Sequence, residues 1–262
     1  MRNSCVYKLL IISSLSLLTL PSCDREDLSL SEEGAGDLIK VSAVGADVQT
    51  RGLLNASDLK TAGTTVKVYD YLTGFTGTID GTSYTEGSVM YIDDAVEYAS
   101  GDWVFQKAPW RWTRTGTHNF FGWLTHDGTG SGTDIPTGWA SFAEASKTLS
   151  VGPLTLTHTS PQFDFSYSDI VSVPVDEIPS DGTIELPLNH LFSALAITIE
   201  NAGDDQITLK RATVSGVNNT KKASISYASS PVEPSFSNSA SSNFLADLGS
   251  GVELNNGTVR DL

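Results

Sequence analysis

Few side chains in this 262-residue chain stand where they could do chemistry, and the first is a thiol. Cys23 follows Ser22 and lies three residues after Leu20, at the end of an apolar run. The other cysteine, Cys5, lies inside that run's leader, so the mature chain can form no disulfide within one molecule. The four histidines, His118, His126, His158 and His190, are scattered among presumptive strands and turns. None has a zinc-ligand spacing such as H-E-x-x-H. No serine sits in a nucleophile elbow, and no phosphate-cradling glycine loop opens a helix. Carboxylates abound at Asp93-Asp94, Asp164, Asp176-Glu177 and Asp204-Asp205. A glycosidase needs two placed carboxylates, but acidic residues in loops are ordinarily solvated turn formers. No EF-hand loop is present for calcium. The residues therefore predict a protein that is not an enzyme and that uses no metal and no cofactor.

Residues 1–22 have the layout of an export signal, with Arg2 and Lys8 ahead of a short apolar core. That core is too short to cross a bilayer as a helix of about 20 residues. Leu20-Pro21-Ser22-Cys23 resembles the lipobox of bacterial lipoproteins, with Pro21 an unusual occupant, and this makes Cys23 the expected lipidation site. The alternative is a plain signal cut near Ser22 with an unmodified cysteine. Asp24, Glu26 and Asp27 follow at once, resembling the acidic signal that sends lipoproteins of Bacteroidia-type bacteria to the outside of the outer membrane. Sixteen basic residues against thirty-one acidic ones give −15, and loss of Arg2 and Lys8 with the leader makes −17. Such a surface repels nucleic acid. Residues 23–51 read as a polar tether with one apolar pulse, Leu38-Ile39-Lys40-Val41. Then Arg51 stands alone before Gly52 in an uncharged stretch. A trypsin-like protease can cut there if the backbone is exposed, and a surface arginine without a role is the other reading.

From Leu54 onward threonine, serine and glycine abound, and apolar residues come in short pulses bounded by turn residues. This predicts an all-β chain. Val66 and Val68 alternate with Lys67, as in a half-buried strand. Leu195-Ile197-Ile199, Ile207–Val214 closed by Ser215-Gly216, and Ala223-Ser224-Ile225-Ser226-Tyr227 predict an antiparallel meander or sandwich sheet. A serine-capped connector at 141–147 is the best helical candidate. Prolines cluster at Pro153, Pro161, Pro174, Pro179 and Pro187, as at junctions. Two domains are expected, 52–170 and 171–262.

All five tryptophans fall between residues 103 and 139. Exposed indoles could form a platform on which sugar rings stack, or the rings could fill a sandwich core, with 103–105 and 120–123 as adjacent strands. Trp110 and Trp112, flanked by Pro109 and Arg111, are the pair expected to be partly exposed and the candidate ligand-stacking residues.

The order Trp103-Val104-Phe105, Ala108-Pro109-Trp110-Arg111-Trp112, His118-Asn119-Phe120-Phe121-Gly122-Trp123, Phe165-Ser166-Tyr167-Ser168-Asp169-Ile170-Val171, then Leu186-Pro187-Leu188-Asn189-His190-Leu191-Phe192 resembles the fimbrillin family, lipoprotein pilins and adhesins of Bacteroidia-type bacteria. The resemblance covers residues from about 38 to 228. It implies two tandem antiparallel, transthyretin-like β-sandwiches and a lipid anchor used in transit to the outer membrane. It also implies a protease that removes the first strand after a basic residue. A strand from the next subunit then fills the groove left behind, satisfying its unpaired backbone and its apolar channel. On this resemblance the segment 38–44 is the removable strand, and Arg51 and Gly52 flank the cut. Family members usually have a longer carboxy-terminal domain, from which the donor strand comes. Residues 171–262 are few for a complete sandwich of about 100 residues, so the second domain is expected to be incomplete. Three roles stay open: a fimbrial subunit or adhesin joined to other pilin subunits, a surface lipoprotein that binds glycans through exposed aromatics, or an anchored envelope lipoprotein that never polymerises. Host or bacterial surface glycans and proteins are the partners these roles imply.

Overall fold

The structure, a computed structural model, describes residues 37–45, 57–127, 138–155, 165–191, 198–257 and 259–261. These residues form strands β1 (Lys40–Gly45), β2 (Thr64–Ile79), β3 (Thr82–Ala99), β4 (Asp102–Phe105), β5 (Thr117–Asp127), β6 (Ala140–Ala143) and β7 (Thr148–Thr155). They continue with β8 (Ser166–Ser168), β9 (Val171–Pro174), β10 (Thr183–His190), β11 (Thr198–Glu200), β12 (Ile207–Ser226), β13 (Pro234–Leu254) and β14 (Val259–Asp261). Three single-turn 3-10 helices are the only helical elements among the described residues. The fold is all-β, as the alternation predicts.

One sheet has the order β1-β10-β8-β5-β2-β3-β4, with β9 also paired to β5. Along β2, Val66, Val68 and Leu72 face one core while Tyr69 and Tyr71 face another. On β5, Phe120 and Leu124 face the first core and Phe121 and Trp123 the second. The period of two thus splits one strand pair between two cores. The inner core is closed by the sheet itself, which draws Ile39 and Val41, Ile92 and Val96, and Ile184, Leu186 and Leu188 around Val68 and Phe120. The second core lies between β2, β5 and β8 and a four-stranded sheet of order β13-β12-β7-β6, which supplies Leu149, Val151, Ala223 and Ile225.

Several sequence expectations change here. The boundary placed at 170 falls between β8 and β9, and both pair with β5, so residues on either side of it share one sheet. Strands 103–105 and 120–123 are not neighbours, because β2 and β3 lie between β4 and β5. Residues 140–146 form β6 and a 3-10 turn in place of a helical connector. Ser215-Gly216 does not end a strand: β12 runs through it, with register shifts between Val214 and Val217 that absorb the small residues as a bulge. The expected meander 195–227 is not formed by sequence neighbours, since β11 pairs with β14.

Asn201 joins the two-stranded β11-β14 sheet to the end of β13. It is buried, its Nδ2 donates to the carbonyls of Asp205 and Leu254 (2.8 Å each), and its Oδ1 accepts from the Gly203 N–H at 3.0 Å. Asn201→Ala is expected to cost about 1–3 kcal/mol, since it strands two carbonyls and an amide. Urea denaturation with an unchanged m-value would measure this, and a cost below about 0.5 kcal/mol would mean that water replaces the side chain.

The second core is rich in buried phenols. Tyr227 stacks on Phe121 (centroids 4.0 Å apart), and its buried hydroxyl has no hydrogen-bond partner among the described residues. Burial pushes the Tyr227 and Tyr69 phenols well above their ordinary value, and Tyr91 in the inner core up to about 12. A raised phenol stabilises the fold fully below the unfolded pKa of about 10. That contribution drains away as pH rises toward the folded value, because only the unfolded chain then loses the proton. Stability is therefore expected to be flat to about pH 9.5 and to fall above about pH 10. Tyr227→Phe should gain up to about 1 kcal/mol at pH 7 and soften the alkaline fall by up to about 1.4 kcal/mol per pH unit. Denaturation at pH 7 and pH 11 reads both; a loss at pH 7 would mean the hydroxyl has a partner in solution.

Candidate functional site

The alternation Ile39, Val41, Ala43 against Lys40, Ser42, Val44 makes residues 39–44 a strand with one apolar side. Those three odd residues are buried in the inner core, while Leu38 and Val44 are 41% and 38% exposed. β1 lies at the edge of its sheet and runs parallel to β10, from Lys40 opposite Thr183 to Gly45 opposite Leu188. The Lys40 N–H donates to the Gly182 carbonyl at 2.9 Å, so the even peptide groups of β1 address β10. The odd ones point the other way. There the Ile39 N–H donates to the Trp110 carbonyl at 2.9 Å, and the Trp112 N–H donates to the Asp37 carbonyl at 3.1 Å. Leu38 thus bridges antiparallel to Arg111. Beyond Ile39, the outward peptide groups of Val41 and Ala43 have no ladder partner among the described residues. Gly182, with φ +72°, lets the two chains meet at this end: a Cβ there would stand 2.4 Å from the Leu38 carbonyl oxygen.

The segment bonded to β1 is itself pinned by polar side chains of β2, β3 and β5. Asp94, fully buried, accepts from Trp110 Nε1–H at 2.9 Å, from the Lys107 N–H at 3.2 Å and from the Ala95 N–H at 2.7 Å. Those donors replace the water a buried carboxylate loses. The Tyr91 hydroxyl donates to the Arg111 carbonyl at 2.8 Å. His118 Nε2 lies 3.3 Å from the Thr113 nitrogen and 2.9 Å from Thr113 Oγ1, while Nδ1 lies 2.5 Å from Asp70 Oδ2. The Thr113 N–H aimed at Nε2 assigns the imidazole proton to Nδ1, which donates it to Asp70. Burial pushes the Asp70 carboxyl above the usual carboxylate range, and the His118 ring and the Asn119 N–H (2.8 Å) pull it back.

Asp70, His118 and Thr113 have the residue types of a catalytic relay. None is more than 5% exposed, and His118 is enclosed by Phe120 stacked at 5.5 Å and by Trp112 and Tyr91 edge-on at 4.9 and 5.7 Å. The string offers a substrate no face, and its chemistry is to hold Thr113.

Cys23, Arg51 and Gly52 lie outside the described residues. Trp110 is half-buried, packs on the inner core, meets Tyr91 edge-on at 5.5 Å and has its indole N–H committed to Asp94. Trp112 corrects the expectation of a partly exposed pair: it is 2% exposed, with its ring against His118 and Phe120. A stacking platform needs an open ring face, which Trp112 lacks. The sequence reading missed Gly182, Asp94 and the Asp70–His118 pair. Its available signals were the Asp181-Gly182 turn dipeptide just ahead of a strand and single ionisable residues inside apolar strands.

No family model and no curated protein matches this chain. Among solved structures, that of a "putative cell adhesion protein" from Bacteroides ovatus ATCC 8483 is similar over 87% of this chain and 78% of that one, at 12% identity and a TM-score of 0.43.

Proposed function

We propose that this chain is a cell-surface fimbrial subunit or adhesin, carried to the outer membrane on a lipid at Cys23 and joined to its neighbours by exchange of β1. The observation that carries this reading is the seat of β1. An edge strand sends three alternate side chains into the core of a sheet, holds one ladder along most of its length, and joins the rest of the chain through residues 46–56, which include Arg51. Cutting after Arg51 turns an intramolecular strand into a separate fragment. Its hold then loses the high effective concentration of a tethered segment. Departure of the fragment uncovers the inward side chains of β10 and its unpaired peptide groups, and an alternating strand from a second subunit satisfies both. The protein works by binding, with other subunits as its first partners.

The mature amino terminus tests this. Mass spectrometry of protein sheared from producing cells is expected to find chains that begin at Gly52. Diacylated Cys23 on every surface copy, with β1 still covalently joined, would sink strand exchange.

A further inference from the structure

We propose that residues 110–112, with Gly182, form a preset clamp that fixes the register of the strand seated on β10, and that Asp94, Tyr91 and the Thr113–His118–Asp70 string hold this clamp in place. The inference rests on the strand-exchange reading and names the residues that select the incoming strand.

The first support is independence from β1. Lys107 N–H, the Trp110 indole, the Arg111 carbonyl and the Thr113 N–H are bonded to Asp94, Tyr91 and His118, which stand on β3 and β5, while the Thr113 hydroxyl donates to the Thr115 carbonyl at 2.9 Å. The body of the sheet therefore positions the clamp whether or not β1 is seated.

The second support is selectivity. Three backbone hydrogen bonds grip residues 37–40 from both sides, and Gly182 leaves room for the Leu38 carbonyl. Among the described residues, residues 41–45 have ladder hydrogen bonds to β10 alone. A strand slipped by one residue turns the wrong peptide groups toward the clamp and its apolar side chains toward solvent. Slipped by two, it brings the alanine to the seat of Val41 and leaves a void. The strand selected therefore carries a free N–H at positions 39 and 40, which excludes proline there. It carries large aliphatic residues at positions 39 and 41 and a small one at position 43. The partner is an extended, alternating segment parallel to β10.

Hydrogen exchange on the intact chain tests the clamp directly. The amides of Ile39, Lys40 and Trp112 are expected to exchange about tenfold or more slowly than those of Val41 and Ala43. Thr113→Val should speed Ile39 and Trp112 together and leave Ser42 and Val44, bonded to β10, unchanged. Equal rates at Ile39 and Val41, or an effect of Thr113→Val spread evenly along β1, would overturn the clamp. A second measurement offers the chain cut after Arg51 a fluorescent peptide with the sequence of residues 37–45, methylated on the Ile39 or the Val41 nitrogen. Methylation at 39 is expected to weaken exchange about tenfold and methylation at 41 to leave it within about twofold; equal effects would overturn the clamp. If the unmodified peptide does not exchange, the strand-exchange reading fails, and the amide rates still decide the clamp.

Discussion

Replacing His118 by alanine is expected to cost about 3–5 kcal/mol at pH 7, because it leaves the Asp70 carboxylate buried with one remaining donor, the Asn119 N–H. Against a total stability of about 5–15 kcal/mol, that is enough to unfold a weak domain. The pH dependence separates this mechanism from simple loss of ring volume. Burial already raises the Asp70 carboxyl, and His118 supplies the leading opposing influences. Without the ring it rises further. A group whose folded pKa is raised contributes its stability below the unfolded value of about 4 and loses it as pH climbs through the folded value. His118→Ala should therefore be least stable near neutrality and recover toward acid. Asp70→Asn should cost less, about 1–3 kcal/mol, since its one amide oxygen can keep the Asn119 N–H or the His118 Nδ1–H but not both, and moving the imidazole proton to Nε2 instead unpairs the Thr113 N–H. Urea denaturation of both variants between pH 5 and pH 8 is the measurement. A pH-independent deficit in His118→Ala would mean that packing, not the stranded carboxylate, sets the loss.

Gly122→Ala is the second large effect, at about 3 kcal/mol. A Cβ there would stand 2.2 Å from the Lys67 carbonyl oxygen, a backbone atom of the neighbouring central strand. β2 cannot retreat, because β3 flanks it on the other side, and β5 is held by the Gly122 N–H bonded to the buried Ser168 hydroxyl at 2.8 Å. Gly74→Ala provides the contrast. It has φ +63° and open space around it, so only the strain of a left-handed alanine applies, about 1–2 kcal/mol. If thermal denaturation finds the two variants alike, β2 and β5 part freely at this point and the ladder is softer than its geometry.

Where a strand runs was legible from side-chain period. Val66 and Val68 marked β2, the aromatics at 120–123 marked β5, and the pulse at 38–44 marked β1. Which strand it joins was not. Proline clustering suggested a division at 170, yet Pro174 lies in β9 and Pro187 in β10, both within the sheet that β5 organises. Pro187 is tolerated there because the even residues of β10 bond β1, which leaves an odd position with no N–H to supply to that ladder. Trp112 was misjudged for a similar reason. Its neighbours in sequence, Arg111 and the half-buried Trp110, are partly open, while its neighbours in space are His118 and Phe120.

By itself, then, the sequence determined the all-β class and the positions of β1, β2 and β5 along the chain, but not that β2 and β5 bury both of their faces. That class and those positions live in side chains, whose order along the chain is the sequence. The tertiary structure alone decided that β1 lies parallel to β10, that residues 110–112 close over its first turn of ladder, and that Asp70 meets His118 across two strands. Ladder bonds are made by peptide groups that are alike at nearly every residue, so strand partners are chosen by how whole faces pack, and no local pattern records that choice.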